Sequence, residues 1–261
     1  MTLAGRRYVF DNDNTHSDEQ HRCLAAAYDP ATTGSLAATG VGPGWQCLEV
    51  GAGGGSIAHW LAGRVAPTGG VLATDINPRH VRAAPGLTVE QHDVVHDPLP
   101  ERRFDLIHAR LVLLHLPERL AVLDKLVRAL KPGGWLQLDE FDIAYGPALA
   151  GPDTELYERF LAAKAELMRS AGALGTWGRS VAAAMTAAGL DRVEARPHVS
   201  LWDRDSPGLQ LLVHHTRHLR DQFVAAGFSD DELARVRDVM AHADFRACSC
   251  LFYTVRGRRP A

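Results

Sequence analysis

The sequence predicts an α/β fold, a doubly wound parallel sheet with helices on both faces. Three observations predict it. A strand end, a glycine-rich turn and a helix start fall together in Leu48-Glu49-Val50-Gly51-Ala52-Gly53-Gly54-Gly55-Ser56-Ile57. An apolar run, Val71-Leu72-Ala73-Thr74, ends in Asp75, 24 residues after Gly51. Strand-like and helix-like segments then alternate through residue 142, as parallel sheets require.

The glycine turn carries most of the information. Glycine lacks Cβ, so such a turn takes positive φ and presents bare N–H groups to a ligand. The dinucleotide fingerprint G-x-G-x-x-G would have its third glycine where Ser56 stands. This chain reads E-x-G-x-G-x-G. Glu49 would repel a pyrophosphate but suits a ligand with a cationic amino-acid end, which disfavours a dinucleotide oxidoreductase.

The following elements fall in order. Asp75 stands where a doubly wound sheet puts the carboxylate that grips a ribose diol. Leu87-Thr88-Val89-Glu90-Gln91-His92-Asp93-Val94 reads as a third strand running into an acid, and Phe104-Asp105-Leu106-Ile107-His108-Ala109 as a fourth. Pro117, followed by apolar positions Leu120, Val122, Leu123, Leu126, Val127 and Leu130, predicts an amphipathic helix with proline in its first turn. Lys131-Pro132-Gly133-Gly134 is expected to separate that helix from a fifth strand, Trp135 to Asp139, with Glu140 and Asp142 just beyond it.

Outside this stretch, residues 18–27 and 33–39 predict two short helices with Asp29-Pro30 breaking between them. Residues 1–43 would form an N-terminal helical cap and residues 44–261 the main domain. Gly146-Pro147 and Gly151-Pro152 interrupt the alternation, and a helix over residues 154–170 reads as an insertion spanning about 146–175. A helix over 178–189, a strand over 191–201, helices over 208–226 and 230–242, and a last strand over 247–255 follow.

The ordered blocks resemble class I S-adenosylmethionine-dependent methyltransferases over roughly residues 45–142. Within that superfamily they are similar to the small actinobacterial-type tailoring and UbiE-like enzymes: Leu48 to Ser56, Ala73 to Ile76, His92-Asp93, Phe104 to Arg110, Leu114 to Arg119 and Leu130 to Leu136 match in order. The resemblance implies a Rossmann-like seven-stranded sheet of order 3-2-1-4-5-7-6 with the last strand antiparallel. It implies S-adenosylmethionine as cofactor, with Glu49, Gly51, Ala52, Gly53 and Gly55 around its aminocarboxypropyl end. Asp75 and Ile76 would lie at the ribose, His92, Asp93 and Val94 at the adenine, and Ala109 and Arg110 beneath the cofactor. Tyr8 would close over the sulfonium, where an aromatic face favours a cation.

Methyl transfer from a sulfonium needs chiefly an aligned nucleophile and excluded water. His115, in Leu114-His115-Leu116-Pro117 past the fourth strand, is the expected base or orienting group, and Glu140 the second candidate. The expected reaction is methylation at O, N or C of a small molecule such as a secondary metabolite. The alternative is an S-adenosylmethionine binder that does not methylate, cyclase-like or regulatory.

Composition sets bounds. The 261 residues, 46% hydrophobic and 23% charged, suffice for one α/β core with a modest elaboration. A formal charge of −3 argues against a nucleic-acid surface. No run approaches eighteen apolar residues and no signal-like segment opens the chain, so a cytoplasmic protein without membrane partners is expected. Oligomeric state stays open between monomer and homodimer. Cys23, Cys47, Cys248 and Cys250 lack metal spacing and read as buried free thiols, with no metal expected. His214 and His218 share a helical face but lack an accompanying H-E-x-x-H, and read with His215 as surface or lid histidines.

Overall fold

The computed structural model describes residues 2–3, 6–7 and 17–261; Tyr8 lies outside the described residues. Seven strands form the main sheet: β1 (Gln46–Val50), β2 (Gly70–Asp75), β3 (Leu87–Gln91), β4 (Phe104–Arg110), β5 (Leu130–Asp142), β6 (Asp191–His198) and β7 (Leu251–Arg258). Their order is 3-2-1-4-5-7-6. β1 to β5 run parallel, and β7 inserts antiparallel between β5 and β6, as the resemblance implied.

The strands divide their side chains by the period of two. Leu48 and Val50 of β1, Ile107 of β4 and Leu136 and Leu138 of β5 enter one core. Cys47, Leu106 and Val71 enter the other, against Ile57, Leu61 and Val65 of α2 (Ser56–Val65). The first core is covered by α3 (Arg119–Ala129), whose Val122, Leu123 and Leu126 are buried while Leu120 is exposed.

Four expectations are corrected. First, the N-terminal segment is one helix, α1 (Ser17–Ala37), with Pro30 inside it. Proline in a helix interior costs about 3 kcal/mol through the lost hydrogen bond and ring clash. Packing offsets this: the Tyr28 ring lies 5.1 Å from Phe141 and 4.6 Å from Phe252, Thr32 and Leu36 are buried, and Arg256 donates to the Ser35 carbonyl.

Second, Lys131-Pro132-Gly133-Gly134 lies within β5 rather than before it. Gly133 has φ +78°, the β4–β5 register shifts between Phe104 and Leu106, and Gly133 N–H donates to the Arg259 carbonyl. The segment is a bulge held by the chain's last residues. Third, β5 continues to Asp142, so Glu140 and Asp142 belong to the sheet. Fourth, the expected last strand divides. Arg246–Cys248 pairs with Leu201–Trp202 and Ala148–Ala150 in a separate three-stranded sheet, and Leu251–Arg258 alone joins the main one. Ser249 sets the break by exchanging bonds with Ser200: its N–H donates to the Ser200 carbonyl and its Oγ accepts the Ser200 N–H.

Helices α4 (Thr154–Ser170), α5 (Val181–Ala187), α6 (Pro207–His218), α7 (Arg220–Ala225) and α8 (Asp230–Ala241) complete the architecture. His215 and His218 on α6 are buried, not at the surface. Among the described cysteines all are free; Cys47 is buried and the other three are of intermediate exposure. Among the described residues no helix is long and apolar enough to cross a membrane.

Candidate functional site

The carboxyl ends of β1, β2 and β4 and the stretch after β3 meet at one cavity of about 470 Å³, roofed by α1, α4 and α6. Gly51 and Gly53 reach it from the glycine turn with φ +68° and +52°, left-handed values glycine tolerates. A Cβ at Gly51 would collide with the Val112 side chain, and one at Gly54 would lie 2.9 Å from Cβ of His21 on α1. Bare backbone here thus serves close packing of the turn's own neighbours as well as ligand access.

Asp75 ends β2 and is almost fully buried. Its Oδ2 accepts Gly53 N–H at 2.9 Å and its Oδ1 accepts Asn77 N–H at 2.9 Å. Burial raises its carboxyl pKa, opposed by those two donors. Ile76, His92, Asp93 and Val94 line the same cavity. Asp93 is held by its Oδ1, which accepts Val95 N–H, and by its N–H, which donates to Asp97.

Glu49 does not line the large cavity. It lines a smaller one of about 170 Å³ with Ala52, Gly53 and Arg110. Arg110 borders both cavities and donates from Nη1 to Asp29 on α1 at 2.7 Å. Ala109 is fully buried in β4 and lines neither cavity. Gly55 also lines neither; with φ +80° it caps the start of α2.

A buried network beneath the turn was missed by sequence reasoning. His108 lies between two carboxylates, its Nδ1 2.7 Å from Glu49 Oε2 and its Nε2 3.1 Å from Asp139 Oδ2. Carboxylates accept, so the ring donates from both nitrogens as an imidazolium. Burial opposes that charge, but Glu49 and Asp139 overcome it and push the pKa up to about 9. Gln137 donates to Asp139 and to the Thr32 carbonyl of α1. The signal was available in the strands: Glu49, His108 and Gln137 interrupt apolar runs and stand at one register level in β1, β4 and β5.

His115 closes a 3₁₀ turn, Leu113–His115, and lines the large cavity. Burial, with Lys164 and Arg119 nearby, lowers its pKa to about 4, so the ring is neutral at pH 7. Glu140 does not reach the cavity. It is fully buried, and its Oε1 accepts the Leu113 N–H at 2.9 Å, which supports the turn carrying His115. Asp142 is likewise occupied, by Arg179 and the Ala144 N–H. Because β5 extends three residues further than expected, both acids point into sheet and turn contacts.

Residues 48–136 match the family model of a methyltransferase domain. Methyltransferase str3 of Strobilurus tenacellus is 35% identical over 130 residues, 49% of this chain and 45% of the relative. The UbiE ubiquinone/menaquinone biosynthesis C-methyltransferase of Cupriavidus pinatubonensis is 30% identical over 121 residues, 43% of this chain and 50% of the relative. The chain thus spans about half the length of these curated relatives. A crystal structure of an S-adenosylmethionine-dependent methyltransferase from Mesorhizobium loti superposes with TM-score 0.52 at 21% identity, covering 91% of this chain and all of that one. Residues 48–136 thus match a methyltransferase domain, and they lie in a sheet of strand order 3-2-1-4-5-7-6 with an acid at the end of β2.

Proposed function

We propose that the protein transfers the methyl group of S-adenosylmethionine to O, N or C of a small molecule, in secondary metabolism. The observation that carries this reading is the continuity of the cavity. The same space is lined by Gly51, Asp75 and Asp93 at the sheet's carboxyl edge and by His115, Met168 and Leu212 under the helical roof. Open α/β sheets bind ligands at that edge. Asp75 is the ribose ligand and Asp93 the adenine ligand in this reading. Glu49 and Arg110 border the glycine turn where the aminocarboxypropyl group would lie. The sulfonium supplies an electrophilic methyl; the chain's residues hold it, orient the acceptor and exclude water.

Calorimetry tests the cofactor. S-adenosylmethionine and S-adenosylhomocysteine are expected to bind and NAD is not; heat from NAD alone would overturn the reading. Asp75→Ala is expected to weaken S-adenosylmethionine by about 1.5–3 kcal/mol for each ribose hydroxyl bond lost. Unchanged affinity would remove Asp75 from the site.

The described part of the N-terminal cap, residues 17–43, and the insertion near 146–175 form, in this proposal, a lid over the cavity. α1 supplies His21, Leu24 and Tyr28 to its wall, and α4 supplies Lys164 and Met168. Cofactor with acceptor is expected to slow amide hydrogen exchange in residues 17–27 or 154–170. Equal exchange with and without ligands would sink the lid.

A further inference from the structure

The part of the cavity under α4 and α6 is apolar at Phe141, Ile143, Met168 and Leu212, and Lys164 of α4 brings an ammonium into it. Three other inward-facing cations are paired with carboxylates, while Arg119 and Lys125 donate to backbone carbonyls. His108 lies between Glu49 and Asp139, Arg110 meets Asp29 at 2.7 Å, and Arg256 meets Glu194 at 2.6 Å. For Lys164, no Asp or Glu among the described residues forms an ion pair, and Cys250 is the one titratable neighbour that opposes the effect of its burial. The titratable groups that share this region do not neutralise it. His115 and His215 are both neutral at pH 7, the first held at about 4 and the second well below the usual histidine range by burial and neighbouring positive charge. The Cys250 thiol is pushed up to about 11 by burial. Burial also lowers the Lys164 pKa, opposed only by Cys250. Among the described residues the ammonium thus has no counter-charge, and an anionic ligand entering the cavity would supply one.

We propose that Lys164 receives an anionic oxygen, carboxylate or phenolate, of an otherwise apolar methyl acceptor. This rests on the methyltransferase reading above and adds the acceptor's charge to it. The acceptor's hydrocarbon would lie against Phe141, Met168 and Leu212, with Lys164 fixing its orientation relative to His115.

Calorimetry on protein saturated with S-adenosylhomocysteine tests the inference with two pairs of probes. The first pair is 2-naphthoate against 2-naphthamide; the second is 4-nitrophenolate against 4-nitrobenzyl alcohol, at a pH where the phenol is ionised. The anion of at least one pair is expected to bind about tenfold or more tighter than its neutral partner, the ratio of one charge-assisted hydrogen bond. Which pair shows the larger ratio distinguishes carboxylate from phenolate. Lys164→Arg is expected to keep the preference and Lys164→Met to lose it, both with unchanged S-adenosylhomocysteine affinity. No preference for either anion in the native protein, no binding of either anion, or a preference that survives Lys164→Met overturns the inference. Should S-adenosylhomocysteine itself fail to bind the native protein, the methyltransferase reading falls instead, and the two failures are distinguishable.

Discussion

His115→Ala is expected to lower turnover by about 10²–10⁴-fold, the range typical of general acid–base work, while leaving S-adenosylmethionine affinity nearly unchanged. The separation follows from position: His115 lines the cavity beside Lys164 under the roof, whereas Asp75 and Asp93 stand at the ends of other strands. Production of S-adenosylhomocysteine with an accepted substrate, alongside calorimetry of the cofactor, measures both quantities. His115→Gln keeps a hydrogen-bonding group without proton uptake, so near-native turnover there assigns orientation, and a loss equal to that of His115→Ala assigns proton transfer. Full activity in His115→Ala would reduce the residue to packing. The pH dependence follows from the lowered pKa. A ring that takes up its proton only near pH 4 stays a competent base through neutrality, and its contribution disappears as pH falls through that value. Turnover is therefore expected to be flat from about pH 8 to about pH 6; a titration near the ordinary histidine value of about 6.5 would contradict the buried, cation-flanked environment.

His108→Ala is expected to destabilise the fold by about 3–5 kcal/mol, the usual cost of removing one member of a buried ion pair. Its loss leaves Glu49 and Asp139, both buried, with no cation between them. Urea unfolding at neutral pH measures this, and a loss below about 1 kcal/mol would show that the network contributes little. The native protein also carries a pH signature. Folding raises the His108 pKa from its unfolded value of 6.5 to about 9, so its stabilisation is fully present below 6.5 and is lost as pH rises through 9. That shift corresponds to about 3 kcal/mol across the window. Burial also raises the Glu49 pKa, which acts in the same direction at lower pH. Unfolding free energy that falls between pH 6.5 and pH 9 in the native protein, but not in His108→Ala, is the expected result.

Much of the candidate site was legible because it depends on local chemistry. The glycine turn, Asp75 after an apolar run and Asp93 after the next are each specified within a few residues, and the structure brings Gly51, Gly53, Asp75, Ile76, His92, Asp93, Val94 and Arg110 to one cavity. His115 joins them because the Leu113–His115 turn follows β4 directly. Ala109 and Glu140 illustrate the opposite case. Their neighbours in sequence face the cavity, but strand alternation turns Ala109 into the core, and the added length of β5 gives Glu140 to the Leu113 N–H. The polar interruptions at Glu49, His108 and Gln137 are visible in the strands, but their meeting depends on register, and the setting of Lys164 depends on which elements meet.

The sequence by itself determined the class of fold, the strand order implied by the resemblance and the position of the glycine turn, since periodicity and turn chemistry act over a few residues. Only the tertiary structure decided that α1 runs through Pro30, because packing of Tyr28 against Phe141 and Phe252 outweighs the local cost of the proline. It also decided that Lys164, 53 residues beyond Leu111 in the chain, shares a cavity with it, and that no carboxylate among the described residues forms an ion pair there with Lys164. Burial and charge pairing are properties of groups brought together from distant positions, and a linear pattern carries no term for them.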